Sequence, residues 1–445
     1  MTRPLEVLDG SDAVRVEAAL RKALSLDGPA ILPRDPAATG VGEPAVAPGE
    51  TTGTGGGESA SSAREFASRP LARVEGDESS SAQSERRRGR HAAPPLGDPE
   101  VARHTPLPSE VPKAVALVIE TSGSSGVPKR VALSTNALLA SAAAVEVALG
   151  GQGQWLLALP THYIAGVQVL VRSIVAGTTP VIQPAGHFSA SGFAALADEL
   201  DAPLRFTSLV PAQLARLVTA AEDDPRIRRS VARFDSILIG GQALPAALYE
   251  RARQAGFAVV RTYGSSETAG GCVYDGRPIG QTLARESGGE IELAGPTLAE
   301  GYLGDDELTS RKFRVEGGVR WYRTADSGTV TDGVVRVTGR LDNVIISGGV
   351  KVSLDRVERA VQGVPGFDQA IVVPQRSAAW GQVSVVVTEG EVGEADLEQV
   401  RSAVIQSAGR AAAPVDIHRV DRLPRLASGK PDRLTIARSL EARAD

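Results

Sequence analysis

The chain has 445 residues, 42% hydrophobic and 4% aromatic, enough for two to four domains whose interiors Ala, Val and Leu must fill. A single cysteine, Cys272, excludes an internal disulfide and a multi-cysteine metal site; 48 basic against 53 acidic residues, a net charge of −5, give no general electrostatic pull toward nucleic acid or an anionic membrane. No apolar run approaches the roughly 18 residues of a membrane helix, and the start, MTRPLEVLDG, lacks the apolar stretch of a signal peptide, so a cytoplasmic protein without membrane insertion is expected.

Residues 11–26 form one amphipathic segment, followed by a strand-like ILP at 31–33. From 34 to 110 the texture changes to Gly, Ser, Pro, Ala and charge, as in TTGTGGGESASS at 51–62, too little apolar surface to offset the entropy of ordering. That stretch is expected to be a disordered insertion; its Arg86 to Arg90 cluster reads either as a solvated charge run or as a dock for an acidic partner. The apolar run 114–119 then predicts a buried strand, TSGSSGVPKRV at 121–131 a glycine and hydroxyl loop, and the alanine-rich run 137–149 a helix. Strand, loop, helix is an anion-binding order: Gly123 and Gly126 let backbone N–H groups turn inward, Thr121, Ser122, Ser124 and Ser125 add hydroxyl donors, and Lys129 adds a point charge. Pro128 before the lysine and Arg130 after it exclude the usual NTPase loop, and a flexible turn would use the same letters.

Farther on, strands are predicted at 155–160, 178–183, 204–211, 236–240 and 258–264, several of them ending in Gly, Ser or Thr loops, with a helix over 166–175. This is an α/β pattern whose ligands sit at the carboxyl ends of the strands. Shorter strands at 288–295 and 333–339 suggest a β-rich subdomain, and residues 342–445 a small α+β domain with strands at 369–374, 382–387 and 415–420 and a helix over 394–408. Lysine is scarce, at 22, 113, 129, 312, 351 and 430 only, so a lysine retained in a glycine-containing loop (Lys129, Lys351, Lys430) is a candidate for a task that arginine cannot do.

Taken singly, the later loops leave two readings open. His162 in PTHYIAG is a packed loop residue or a site residue; Ser266 and Glu267 in TYGSSET suit a hydrated Mg²⁺ beside phosphates or an exposed turn; Asp326 and Arg340 grip ribose hydroxyls or form a surface ion pair. Their order decides more than any one of them. TSGSSGVPK, PTHYIAG, IGGQAL, YGSSET, YRTAD, GRLDNVIISGGVKV and SGKPDR resemble, in sequence, the signature motifs of the acyl-adenylate-forming superfamily of acyl-CoA synthetases, luciferase and nonribosomal adenylation domains. The resemblance covers 111–440, with 1–33 as a shortened form of the family's N-terminal region. TYGSSETAGGCVYDG and LLALPTHYIAGVQVLVRSIVAGTTPV resemble the branch, in its actinobacterial form, that joins 2-succinylbenzoate to CoA in menaquinone biosynthesis.

The resemblance implies a large α/β domain of layered sheets with a β-rich subdomain (111–341), a small mobile α+β domain (342–445), and a reaction of ATP, Mg²⁺, coenzyme A and a small-molecule carboxylate. It implies that Thr121, Ser122, Gly123, Ser124, Ser125, Gly126 and Lys129 hold the β- and γ-phosphates, Ser266 and Glu267 the metal, and that Gly241, Gln242, Tyr263, Gly264, Ser265, Asp326 and Arg340 frame adenine and ribose. Lys430 is implied at the α-phosphate, His162 at the acyl pocket or CoA entry, Arg172 on the substrate's second carboxylate, Asp342 as a hinge, and Gly349 with Lys351 in the loop presented for the second half-reaction. Three positions depart from the family: Arg130 and Ala325 stand where glycine is common, and Ser265 where an apolar residue is. Other carboxylate specificities and a non-catalytic adenylate-binding relative remain as alternatives, and homodimerisation is left open.

Overall fold

A computed structural model describes residues 1–36, 106–122, 128–389, 393–425 and 431–444. The expected insertion therefore lies outside the described residues, apart from its edges at 34–36 and 106–110, as do Gly123, Ser124, Ser125, Gly126 and Lys430. The architecture is mixed α/β with layered sheets.

The first sheet runs, in spatial order, Gly301–Tyr302, Pro128–Ser134, Val115–Ser122, Ala30–Arg34, Thr2–Asp9 and Glu110–Pro112. Its centre corrects the expected strand, loop, helix order. Val115–Ser122 is followed by a second strand, Pro128–Ser134, paired antiparallel to it with Thr121 opposite Lys129, and the helix Thr135–Leu149 begins only afterward. The physical reason is in the sequence: Val131 and Leu133 are wholly buried, and Ser134 caps the helix by accepting from the Ala137 N–H at 3.2 Å. Lys129 therefore lies on a strand, six residues before the helix begins at Thr135.

The second sheet is parallel through Val181–Ile182, Gln154–Leu157, Arg205–Leu209, Ser236–Ile239 and Val259–Ser265, then turns antiparallel through Gly270–Tyr274 and Arg277–Pro278. The helices Thr135–Leu149 and Ile164–Ala176 lie within the core, and Thr135–Leu149 packs on both Pro128–Ser134 and Gly270–Tyr274. This is why Ile164–Ala176 shows no polar face: residues 166–173 are all buried. One cluster, with Ile31, Leu117, Leu138, Val167 and Leu170, fills this layer, and a second, with Phe193, Leu214, Leu217 and Ile237, lies under the other face of the parallel strands.

The β-rich part joins Leu283–Ser287, Glu290–Ala294, Val319–Thr331 and Phe313–Glu316, with Val334–Arg340 on the far end of Val319–Thr331. The last unit has its own core around Val352, Val357, Val372 and Val386, with strands Val344–Ser347, Val350–Ser353, Ile371–Ser377, Gly381–Thr388 and Asp416–Arg419 and helices Leu354–Gln362, Glu394–Ala408 and Arg433–Ala444. It docks where the chain enters it: the Arg340 N–H donates to Asp355 Oδ2 at 2.6 Å and Asn343 Nδ2 to Asp355 Oδ1 at 2.7 Å. Among the described residues no helix is long and apolar enough to cross a membrane.

Candidate active site

The carboxyl end of Val259–Ser265 is the place to build from. Gly264 permits its tight crossing with the next strand, since a Cβ there would stand 2.1 Å from the Gly270 carbonyl oxygen. The chain then makes one 3₁₀ turn, Ser266–Thr268, held by the Ser265 N–H donating to Thr268 Oγ1 at 2.9 Å and closed by Ala269 at φ 51°. That turn carries Ser266 and Glu267 inward, both buried.

Two polar centres result. In the first, Tyr302 donates its hydroxyl to Glu267 Oε1 at 2.8 Å. Burial and the Glu267 carboxylate push the tyrosine far above its ordinary value, so it stays a donor. Among the described residues no Lys or Arg lies within ion-pair distance of Glu267, and a buried carboxylate without a counter-charge fits a cation. No group of three His, Cys, Asp or Glu among them could hold a metal alone, so this turn offers one carboxylate and the neighbouring Ser266 hydroxyl. That donor set matches Mg²⁺ held largely by phosphates, not a dedicated cage.

In the second centre, Tyr263 donates to Asp326 Oδ2 at 2.7 Å and Arg340 Nη1 to Asp326 Oδ1 at 3.2 Å. Asp326 and Arg340 face each other across the hairpin of Val319–Thr331 and Val334–Arg340. Burial pulls the Asp326 carboxyl upward, against the pull of Tyr263 and Arg340. Arg340 also clasps Asp342 through two bonds of 2.9 Å, which lower the Asp342 carboxyl and hold the guanidinium firmly charged. Asp326 and Asp342 therefore share one cation, Arg340. Ala325, where relatives commonly have glycine, sits at φ 63°, in the region that glycine occupies freely; its N–H donates to Glu290 Oε1 at 2.8 Å.

Near the second centre lies Lys312, which ends a helix, Asp306–Lys312, and stands in no glycine loop. Its ammonium donates to the Arg323 carbonyl at 3.3 Å, one residue from the Thr324 carbonyl that Arg340 reaches at 3.5 Å. Burial, and then the charges of Lys129, Arg340 and Arg323, lower its pKa, against the pull of Glu290. Thr121 and Lys129 are cross-strand partners, with Thr121 Oγ1 3.4 Å from the Lys129 carbonyl, and Ser122 ends the strand before the loop. Gly241 takes φ 82° after the strand Ser236–Ile239, and Gln242 Nε2 has no partner among the described residues.

His162 is half-buried between the N-terminal segment and Tyr163, its Nε2 3.9 Å from Asp35 Oδ2. Burial outweighs the pull of Asp35 and Asp9 and lowers it, favouring the neutral ring. Arg172 is not a surface residue: it is 7% exposed, stacked 4.8 Å over Trp155, and its Nε and Nη1 have no partner among the described residues. On the same helix face Gln168 donates to the Ala269 carbonyl at 2.7 Å, and the buried Tyr274 hydroxyl is also unpartnered. A cavity of about 20 Å³, room for one water, lies beside Arg172 between Trp155, Phe206 and Val145. Gly349 and Lys351 are exposed on the hairpin of Val344–Ser347 and Val350–Ser353, which abuts Trp380, and are not gathered into either centre.

A model of the AMP-binding enzyme family matches residues 58–284, and one of the AMP-binding enzyme C-terminal domain matches 356–430. The chain belongs to the AMP-binding enzyme family. This AMP-binding enzyme is 40% identical over 338 residues to a probable 2-succinylbenzoate–CoA ligase of Mycobacterium tuberculosis, covering 74% of this chain and 86% of that one. It is 30% identical over 289 residues to 2-succinylbenzoate–CoA ligase of Escherichia coli K12, covering 63% of this chain and 59% of that one. Among solved structures it resembles o-succinylbenzoate coenzyme A synthetase (MenE) from Bacillus subtilis in complex with AMP, with a TM-score of 0.62 and 26% identity over 73% of this chain and 69% of that one.

Proposed function

We propose that this AMP-binding enzyme is an acid–thiol ligase that joins 2-succinylbenzoate to coenzyme A in menaquinone biosynthesis. In the first half-reaction a carboxylate oxygen of the acid attacks the α-phosphorus of ATP, the bond to the β-phosphate oxygen breaks, and pyrophosphate leaves. In the second, the CoA sulfur attacks the acyl carbon, AMP leaves with the electrons of the carbon–oxygen bond, and the thiol proton goes to solvent.

Asp326, oriented by Tyr263 and Arg340, accepts from the ribose hydroxyls, while Gly241, Gln242, Gly264 and Ser265 frame adenine. Lys129 and the loop of Thr121, Ser122, Gly123, Ser124, Ser125 and Gly126 hold the leaving pyrophosphate. Mg²⁺, when bound, offsets phosphate charge, and Glu267 with Ser266 would hold it. Lys430 supplies the cation at the α-phosphate, a role in which losing one donor costs about 10²- to 10³-fold in rate. Rotation of the last unit about Asp342 exchanges the Lys430 loop for that of Gly349 and Lys351, so one pocket serves two chemistries. His162 lines the acyl pocket as a neutral ring. The cytoplasm, where ATP and CoA are available, is the fitting compartment.

The observation that carries the substrate reading is Arg172. A guanidinium this buried, with two N–H groups unpaired among the described residues, fits the second carboxylate of a diacid better than it fits an apolar core. AMP release measured across a panel of acids should favour 2-succinylbenzoate over benzoate and over its methyl ester at the non-reacting carboxyl. Equal rates for the diacid and that ester would assign the chain to an acyl-CoA synthetase of other specificity.

A further inference from the structure

Tyr302 is the residue that the motif reading did not assign and that touches the candidate metal carboxylate. It lies on the two-residue strand Gly301–Tyr302, whose partners are Ala132 and Val131 on the strand that begins with Pro128 and Lys129. On either side the Glu300 N–H donates to the Ala132 carbonyl at 2.9 Å and the Leu303 N–H to that of Arg130 at 2.8 Å, so the short strand is fixed to the exit of the candidate phosphate loop. From behind, the Tyr302 N–H donates to Thr309 Oγ1 at 2.9 Å. Gly301 allows that approach: it takes φ 153°, and a Cβ would stand 2.5 Å from the Thr309 methyl. The tyrosine ring is 4% exposed and packs 5.9 Å from Phe313, which packs 5.1 Å from Tyr322.

A ring held this firmly gives its hydroxyl one direction, and in that direction stands Glu267 Oε1 at 2.8 Å. The Ala299 N–H also donates to the Glu267 carbonyl at 2.8 Å, so the segment fixes both the backbone and the side chain of the glutamate. Oε2 takes no hydrogen bond from the described residues. A free glutamate has three rotors; one whose Oε1 is capped keeps fewer of its orientations and leaves Oε2 as the oxygen available to a cation.

We propose that Tyr302 is a positioning residue: it caps Glu267 Oε1, presents Oε2 to the divalent cation, and ties that carboxylate to the strand leaving the phosphate loop. The proposal rests on the reading of Glu267 as the metal carboxylate. Its test compares Tyr302→Phe with Glu267→Gln in the full chain. Mn²⁺ binding is measured by electron paramagnetic resonance with the unreactive α,β-methylene analogue of ATP, alongside melting temperature and thioester formation from supplied acyl-adenylate. Phe keeps the ring and its packing on Phe313, so the variant is expected to fold. The expected result is a Mn²⁺ affinity lowered about 10- to 100-fold in Tyr302→Phe, with thioester formation retained. Affinity lost in Glu267→Gln but unchanged in Tyr302→Phe overturns the positioning role and leaves the Glu267 reading standing, whatever the melting temperature does. Affinity unchanged in both variants removes the Glu267 reading and this proposal with it.

Discussion

Arg172 holds a charge in the core without a counter-charge among the described residues, and that has a thermodynamic consequence separable from its task. Burying an ion is costly, the stack on Trp155 returns about 2 kcal/mol, and even buried ion pairs can be replaced by apolar residues of similar volume with a gain of about 1–4 kcal/mol. Arg172→Met is therefore expected to raise the melting temperature while raising the KM for 2-succinylbenzoate at least about tenfold, the effect of roughly one lost ion pair, with the KM for ATP little changed. Thermal melts and initial rates check both halves. A fall in melting temperature with an unchanged KM would mean that the arginine is there to pack. At this scale the sequence singles out Glu267, Asp326 and Arg340 through motifs of fixed order and Arg172 through the helix after PTHYIAG; the structure pairs Asp326 with Arg340 and buries Glu267 and Arg172. What was not legible was who holds them. Tyr302 lies 35 residues from Glu267, and its position carries no local signal in a sequence.

Among the elements, the hairpin around the first loop shows where the expectation failed. Helix-forming composition over 137–149 matches the helix Thr135–Leu149, but residues 128–131, expected as the end of the loop, and 132–134, given no element, form a strand. The period-two signal was there, with Val131 and Leu133 alternating around Ala132, yet too short to stand out beside a Gly/Ser run. The parallel strands were placed to within a few residues, because each is a short apolar run closed by a turn residue. Gly264 shows how much the site owes to one such element. In Gly264→Ala the added carbon must push away the Gly270 backbone, which displaces the turn carrying Ser266 and Glu267. A loss of about 1–3 kcal/mol in urea denaturation, together with loss of pyrophosphate release, is expected; stability lost with adenylation intact would show that the turn is held from elsewhere, for instance by Ala299 and Tyr302.

For the whole molecule, residues beyond 342 gather a hydrophobic cluster of their own around Val352, Val357, Val372 and Val386. The stretch from 37 to 105 poses the larger question, since its composition gives it little to bury. The described residues at its two ends meet: Arg34 donates to both oxygens of Glu120 at 2.8 and 2.6 Å, Arg130 donates to Glu120 Oε1 at 3.1 Å, and Arg130 Nη1 reaches the Pro106 carbonyl at 3.4 Å. The chain thus leaves and returns at one point, beside the first residues of the candidate phosphate loop, and Arg130 stands at that junction where relatives commonly have glycine. A short Gly/Ser linker in place of 37–105 closes the same gap. Shortening a loop roughly tenfold lowers its closure entropy by about 2 kcal/mol, so the shortened chain should melt no lower than the full one, and slightly higher if the stretch makes no contacts. AMP release with 2-succinylbenzoate should be retained, because every described member of the two polar centres lies outside the replaced stretch. A lower melting temperature would show that the stretch packs on the rest. An unchanged melting temperature with a raised KM for ATP would show that it reaches over the phosphate loop, and would give Arg130 a role at the site instead of at a junction.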